Sequence, residues 1–513
     1  MKYVIIAELA INLIVLLIYS MHMFQLNSYF YEKHARWMKK NFKKVLLQIL
    51  IVVIPGGLFL INNNIANIFA AILLGISIIY NVPKGKSKIS LKLTSRVKRM
   101  FVTELVLIAA CVFIFGFDNY IIHKFFGLNI VAHFICMLSN LINTPIEKAV
   151  RQWYINDAKR ILKDMPNLKV IGITGSYGKT SVKNFLYKTL SGKYEVLITP
   201  KNYNTTMGVV KTIRENLKPT HQIFICEMGA TKVGDIKEIC DLVNPTVGII
   251  TSIGPQHMES FKTIENVIST KFELADSVKK NGGTVFLNYN NEYIAKQKPD
   301  MDYKTYGVEN DKLDYNGFNL VSSSNGLTFK VLNEDNKEVE FKTKLIGKHN
   351  IINIVGAIAC ANFMGVKIES LVSRVREIQG VEHRLQLIPH GNLAIIDDSY
   401  NSNPVSSKSA LDTLGEFEGT KIVVTPGLIE LGAKEEQYNF ELGEYAAGIC
   451  DYIFLVGENH SKPILEGVKS KKFDETKLFT VSSPQEAMQK IGTLPINGKV
   501  TVLLENDLPD NYS

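Results

Sequence analysis

The chain has 513 residues, too many for one ordinary domain, and its 46% apolar content is enough to build several cores. Six cysteines are scattered with no C-x-x-C pair, which excludes a disulfide scaffold or a zinc ribbon and suits reduced thiols. The net charge of +9 is local: residues 1–100 hold 14 Lys and Arg against Glu8 and Glu32, whereas the chain beyond them is slightly acidic, so a nucleic-acid partner is not expected.

Residues 1–150 read as an α-helical membrane region. Apolar stretches run Tyr3–Met21, Val45–Ile61, Ile65–Val82, Phe101–Phe117 and about Phe125–Ile142, near the roughly 20-residue length of a bilayer span. The segments Lys33–Lys44 and Lys84–Arg99 are strongly basic, while Asn62–Asn64 and Asp118–Lys124 are nearly neutral. The positive-inside rule puts the basic loops in the cytoplasm and the N-terminus outside, so five spans deliver residue 150 onward to the cytoplasm. Glu8 and Glu104 lie close to span ends and read as carboxylates reaching the interface.

Residues 151–385 follow as an α/β domain. Leu168, Val170, Ile171 and Ile173 form a buried-strand run, broken at Gly175 and Gly178 and resumed with helical spacing at Val182, Phe185, Leu186 and Leu190. A strand, a glycine turn and a helix opening with Lys179-Thr-Ser181 make a phosphate cradle. Backbone N–H groups converge on the anion, the helix adds its positive end, Lys179 adds a mobile charge, and Thr180 or Ser181 offers Mg²⁺ a hydroxyl. Thr174, Gly175, Ser176, Gly178, Lys179, Thr180 and Ser181 are therefore the expected ATP-binding residues. Two further strands end in Glu227-Met-Gly and in Gly254-Pro-Gln-His257, at the edge where parallel sheets bind ligands. Glu227 and His257 beside a triphosphate loop suggest metal ligands.

In the helix expected over Thr263–Lys280, Ile264, Val267, Ile268, Phe272, Ala275 and Val278 follow a 3.6-residue period, and Lys271 lies on that stripe. A core-facing lysine is paired, snorkelling, neutral or chemically altered, and the pattern leaves these open. Residues 300–345 alternate and are rich in turn residues, which predicts a small antiparallel β insert. Asn350 stands near the start of a helix, where it reads as a cap. From residue 386 to the end, strands at Leu393–Ile396, Ile422–Val424, Ile453–Val456 and Val500–Leu504 alternate with helices in a Rossmann-like C-terminal domain.

These motifs, in this order, resemble the Mur ligases: G-I-T-G-S-Y-G-K-T-S, Glu227-Met-Gly, Gly254-Pro-Gln-His257, Thr270-Lys271 with Glu273, Gly347-Lys-His-Asn350, His383-Arg384 and Asp397-Asp-Ser-Tyr-Asn-Ser-Asn-Pro404. The resemblance covers residues 168 to about 460. It implies an ATP-dependent ligase of peptidoglycan precursor synthesis, which joins a carboxylate to an amine through an acyl phosphate. Lys179, Lys271 and His257 would be catalytic. Thr180, Glu227, His257 and Lys271, the last as a carbamate formed with CO₂, would hold two Mg²⁺ ions. Asn350, Arg384 and Asp398 would contact the nucleotide, and Asn202, Asn204, Thr205, Thr206, Asn401 and Asn403 the substrates.

Soluble family members begin with a domain for the UDP-sugar, and here the apolar region takes that place. A small-molecule or lipid-linked cell-wall precursor thus becomes the expected acid, an amino acid or dipeptide the amine. The expected location is the bacterial plasma membrane, multi-pass, with the catalytic domains in the cytoplasm. A membrane-bound poly-γ-glutamate-synthase-like ligase is the alternative within ligases, weakened by the full C-terminal domain. The P-loop ATPase of a membrane transporter or sensor is the alternative outside them, weakened by Glu227, His257 and Lys271.

Overall fold

The computed structural model describes residues 2–61, 63–82, 90–114, 121–400, 402–429, 431–457 and 461–507. Asn62, residues 84–89 of the expected basic loop, residues 115–117 of the fourth expected span, residues 118–120 of the loop after it, and Asn401 lie outside these. Contacts divide the described chain into two units, one up to Trp153 and one from Tyr154 onward.

The first unit is helical. Three helices, Tyr3–Leu26, Phe42–Phe59 and Asn64–Asn81, are long and apolar enough to cross a membrane. A fourth candidate exists if Ile121–Ile130 and Ala132–Lys163, bent by 76° at their junction, count as one. Five spans were expected. Among the described residues the helix Ser95–Ile114, which carries Arg96, Lys98, Arg99 and Glu104, is not one of the candidates. The basic loop after the first span contains a helix, Tyr31–Lys40, whose one buried side is His34, packed on Phe24 and stacked on Trp37. Glu104 is 1% exposed and accepts a hydrogen bond from Ser139 Oγ at 3.4 Å. Asn12 donates to Asn129 and accepts from Ser77 and Asn81, a polar knot that joins three helices.

The second unit carries two sheets. The larger has nine strands: β1 (Lys169–Thr174), β2 (Val196–Ile198), β3 (Ile223–Glu227), β4 (Val247–Ile250), β5 (Thr284–Asn288), β6 (Tyr303–Val308), β7 (Tyr315–Ser323), β8 (Gly326–Leu332) and β9 (Glu338–Thr343). Their order is β2-β3-β1-β4-β5-β6-β7-β8-β9. The first seven pair in parallel, β7-β8-β9 antiparallel. β1 and β3 are buried on both faces, as their unbroken apolar runs require. The expected β insert is not a separate module: β6 pairs in parallel with β5, so the hairpin strands prolong the main sheet. Its inward residues Leu327, Phe329, Val331 and Phe341 share a core with Ile354, Val355 and Ile358 of the helix His349–Phe363.

The smaller sheet contains β10 (Gln386–His390), β11 (Leu393–Asp398), β12 (Thr420–Thr425), β13 (Tyr452–Val456), β14 (Leu478–Val481) and β15 (Val500–Glu505), in the order β10-β11-β15-β12-β13-β14. All neighbours are parallel except the β10-β11 hairpin. β1, β2, β3, β4 and β11 thus lead into the segments that carry most of the expected site residues.

Candidate active site

The turn after β1 is built to bring backbone close to an anion. At Gly175, with φ of 154°, a Cβ would lie 2.1 Å from Thr251 Oγ1. Gly178, with φ of 79°, turns the chain into the helix Lys179–Leu190, leaving that helix's first amides without intrahelical partners. Ser176 Oγ donates to Gly254 O and accepts from Gly254 N, each at 3.1 Å, and Tyr177 Oη donates to Pro255 O at 2.7 Å. The loop that leads to His257 is thereby fastened to the glycine turn. Thr174 Oγ1 donates to Met228 O at 3.0 Å, which fixes the end of β1 against the end of β3. Lys179 curls back onto the turn, donating to Gly175 O at 2.6 Å and Ser176 O at 3.1 Å. Burial pulls its ammonium down to about 8; nearby Glu227 opposes this and Arg384 adds to it. Ser181 is half-buried in the first turn of the helix.

Glu227, at the end of β3, is the centre of the polar cluster. Its Oε1 accepts from Thr180 Oγ1 and from Asn204 Nδ2, each at 3.1 Å. Its Oε2 faces the ammonium of Lys183 at 2.8 Å. Burial raises its carboxyl, but Lys183 and Lys179 outweigh this and hold it below the usual carboxylate range. The sequence reading missed Lys183. The signal was present, since Lys183, Leu186 and Leu190 share one helix face, the same pattern that singled out Lys271.

Lys271 is 2% exposed, with its ammonium 6.0 Å from the centre of the Phe261 ring. Burial lowers it to about 7, Lys179 pushes the same way, and Asp235 and Glu273 pull weakly against both. Glu227 and Glu273, the acids that could pair with it, are engaged elsewhere. Glu227 is paired with Lys183, and Glu273 accepts from the amides of Gly234 at 2.7 Å and Lys237 at 2.8 Å. His257 sits after β4 with φ of 51°, heading the short helix Met258–Phe261.

The C-terminal domain contributes Arg384, whose guanidinium lies 4.2 Å from the centre of the Tyr400 ring and close enough to Glu227 and Lys179 for their charges to interact. Asp398 accepts from Leu385 N at 3.1 Å. Burial and Glu505 push its carboxyl up to about 7 despite Arg384. Several expected ligand-binding residues have structural partners here. Asn350 is not a cap; Lys348 holds that place, and Asn350 donates to Ile346 O at 2.8 Å. Asn403 caps the helix Pro404–Gly415 through Val405 and Ser406, both at 3.0 Å. Thr205 caps the helix Thr206–Asn216, and Thr206 donates to Glu238 at 2.6 Å. Asn202 accepts through its backbone from Asn204 N at 2.8 Å.

The residues present suit a magnesium nucleotide. Thr180 and Glu227 turn oxygen donors toward each other beside the phosphate turn, the donor type Mg²⁺ prefers. Among the described residues no three His, Cys, Asp or Glu side chains gather as a metal site.

A phosphate turn, a buried carboxylate at the next strand end and an arginine from a second α/β domain define a nucleotide-dependent ligase of two catalytic domains. The Mur ligase middle domain matches residues 173–361, and the Mur ligase glutamate ligase domain matches residues 383–504. The chain belongs to the Mur ligase family. Among its relatives is the UDP-N-acetylmuramoyl-tripeptide–D-alanyl-D-alanine ligase of Bacillus subtilis (strain 168), 29% identical over 65% of this chain and 72% of the relative. The protein of that name from Escherichia coli (strain K12) is 27% identical over 71% of this chain and 83% of its own. A crystal structure of MurF from Acinetobacter baumannii superposes with a TM-score of 0.63 at 26% identity, covering 70% of this chain and 77% of that one. A MurF ligase from Thermotoga maritima in complex with ADP shares the fold, with a TM-score of 0.62 at 22% identity over 69% and 80% of the two chains.

Proposed function

We propose that this chain is a membrane-anchored, MurF-like ligase that uses ATP to join a muramoyl-peptide carboxylate to the amine of a dipeptide of the D-alanyl-D-alanine type. The observation that carries this reading is the gathering of Lys179, Thr180 and Glu227 at one sheet edge with Arg384 of the C-terminal domain beside them. The names of the relatives support the substrate class.

A carboxylate is a poor electrophile. One of its oxygens attacks the γ-phosphorus of ATP, the bond to ADP breaks, and an acyl phosphate forms. The dipeptide amine, having lost a proton, then attacks the acyl carbon, and inorganic phosphate leaves with the C–O electron pair. Lys179 and the first-turn amides of the helix Lys179–Leu190 hold the transferring phosphoryl group, and Arg384 approaches from the other domain. Thr180 and Glu227, with His257 and the Lys271 carbamate, would hold two Mg²⁺, which supply charge neutralisation at the phosphates. Lys271 suits carbamate formation because burial keeps a large share of its amine neutral near pH 7. Asn350 and Asp398 are assigned to the nucleotide. The loop Asn202–Thr206 and the segment around Asn403 are assigned to the acid and the amine.

The residues preceding Tyr154 act as a membrane anchor in this reading. Its support is the helix Asn64–Asn81, which turns Ile65, Ile68, Phe69, Ile72, Ile76 and Ile79 outward, an apolar face larger than water-facing helices carry. The test is amine-dependent phosphate release by the purified full chain with ATP, Mg²⁺ and D-alanyl-D-alanine. Turnover of a UDP-muramoyl-tripeptide identifies the soluble acid, and turnover of only its polyprenyl-linked counterpart identifies a lipid-bound one. Phosphate release that ignores both acid and amine contradicts the reading.

A further inference from the structure

Lys183 lies one turn beyond Lys179 on the same helix, is 1% exposed, and makes two contacts that bridge separate parts of the site. Its ammonium stands 2.8 Å from Glu227 Oε2 and donates to the backbone oxygen of Lys201 at 2.9 Å. Lys201 immediately precedes the loop Asn202–Thr206. Asn204 in that loop donates to the opposite oxygen of Glu227 at 3.1 Å, and its backbone oxygen accepts from Gly229 N at 2.7 Å. The loop is therefore strapped to one buried carboxylate at two points, through Lys183 at its base and through Asn204 at its middle.

The two straps differ in kind. Asn204 and Thr180 share Oε1, the edge of Glu227 that faces the phosphate turn. A cation drawn to that edge competes with the neutral amide of Asn204. Lys183 faces the other oxygen, Oε2, at 2.8 Å. A lysine suits this position better than a neutral donor. It balances the charge of a carboxylate that is 2% exposed, and its remaining ammonium protons reach the Lys201 carbonyl.

We propose that Lys183 is a positioning residue for the ligase reaction: held at Oε2 of Glu227, it anchors the base of the acid-substrate loop to that carboxylate. This deepens the function proposed above and rests on it for the identity of the loop's substrate. The anchoring itself is measurable with neither acid nor amine present.

The experiment is amide hydrogen exchange on the nucleotide-free full chain, followed by steady-state kinetics. Lys183→Met keeps the length of the side chain and removes the charge. It is expected to speed exchange at Tyr203 and Asn204 by about fivefold or more, with the core of the helix Lys179–Leu190 unchanged. In turnover it is expected to raise KM for the acid about tenfold while KM for ATP moves less than about threefold. Unchanged exchange at Tyr203 and Asn204, or a rise in KM for ATP as large as that for the acid, overturns the proposal. Asn204→Ala keeps it testable if the lysine variant fails to fold. With Lys183 still in place, exchange at Tyr203 should rise by less than about twofold, and free exchange across residues 201–206 would show that Lys183 anchors nothing. A wild-type chain inert with every acid overturns the ligase reading; unchanged loop exchange overturns the role of Lys183.

Discussion

Two lysines in the same domain lie buried on helix faces and have opposite environments. Lys183 faces a carboxylate at 2.8 Å; Lys271 faces an aromatic ring, and burial, with the repulsion of Lys179, lowers its ammonium to about 7. The sequence displayed both as charges on apolar stripes, but a stripe shows only that a side chain faces inward and not what it faces. Lys271→Ala is expected to lose ligase activity by about a hundredfold or more and to recover part of it with added acetate or formate. Full activity without rescue would remove the carbamate from the account. Asp398 gives a pH signature. Its carboxyl sits near 7 in the folded chain against 3.8 as a free side chain, so the folded state binds the extra proton between these values. The stability it contributes is complete below about pH 4, is lost as pH rises through about 7, and amounts to on the order of 4 kcal/mol. Asp398→Asn still accepts from Leu385 N and should flatten the fall in unfolding free energy between pH 5 and 8. An unchanged slope would mean the carboxyl is ionised throughout.

At the scale of elements, strands buried on both faces were legible because continuous apolar runs such as Ile223–Cys226 admit few other readings. Their order in the sheet was not, and that order joined the expected β insert to the main sheet through β6. The helix Tyr31–Lys40 was hidden because six of its ten residues are charged or histidine, and its helicity rests on one buried face. Asn350 shows the limit of local reasoning: its place at a helix start fits a cap, yet its amide turns back to Ile346. The loops at the carboxyl edge of the smaller sheet are held by Glu505, which is fully buried and accepts from Ser402, from Ser407 at 2.5 Å and from Thr425 at 2.6 Å. Glu505→Ala removes the carboxylate that three hydroxyls share and should destabilise the C-terminal domain by about 3 kcal/mol in denaturant unfolding. A loss below about 0.5 kcal/mol would show that water replaces the carboxylate at no cost.

For the whole molecule, the sequence separated an apolar, basic N-terminal part from two α/β domains, and the described structure divides at Trp153. Five spans were expected; among the described residues three helices are long and apolar enough to cross a membrane, or four if the bent pair Ile121–Ile130 and Ala132–Lys163 counts as one. Membrane anchoring predicts that the full chain stays in the membrane pellet after an alkaline carbonate wash; release into the supernatant would contradict it. If ATP activates the acid for capture by an amine, one oxygen must pass from the acid to the phosphate released. With the acid's carboxylate labelled with ¹⁸O, turnover in ordinary water should place one labelled oxygen in each inorganic phosphate released, and only when the amine is present. Unlabelled phosphate, formed at the same rate without the amine, would mean that the site hydrolyses ATP and never makes the acyl phosphate.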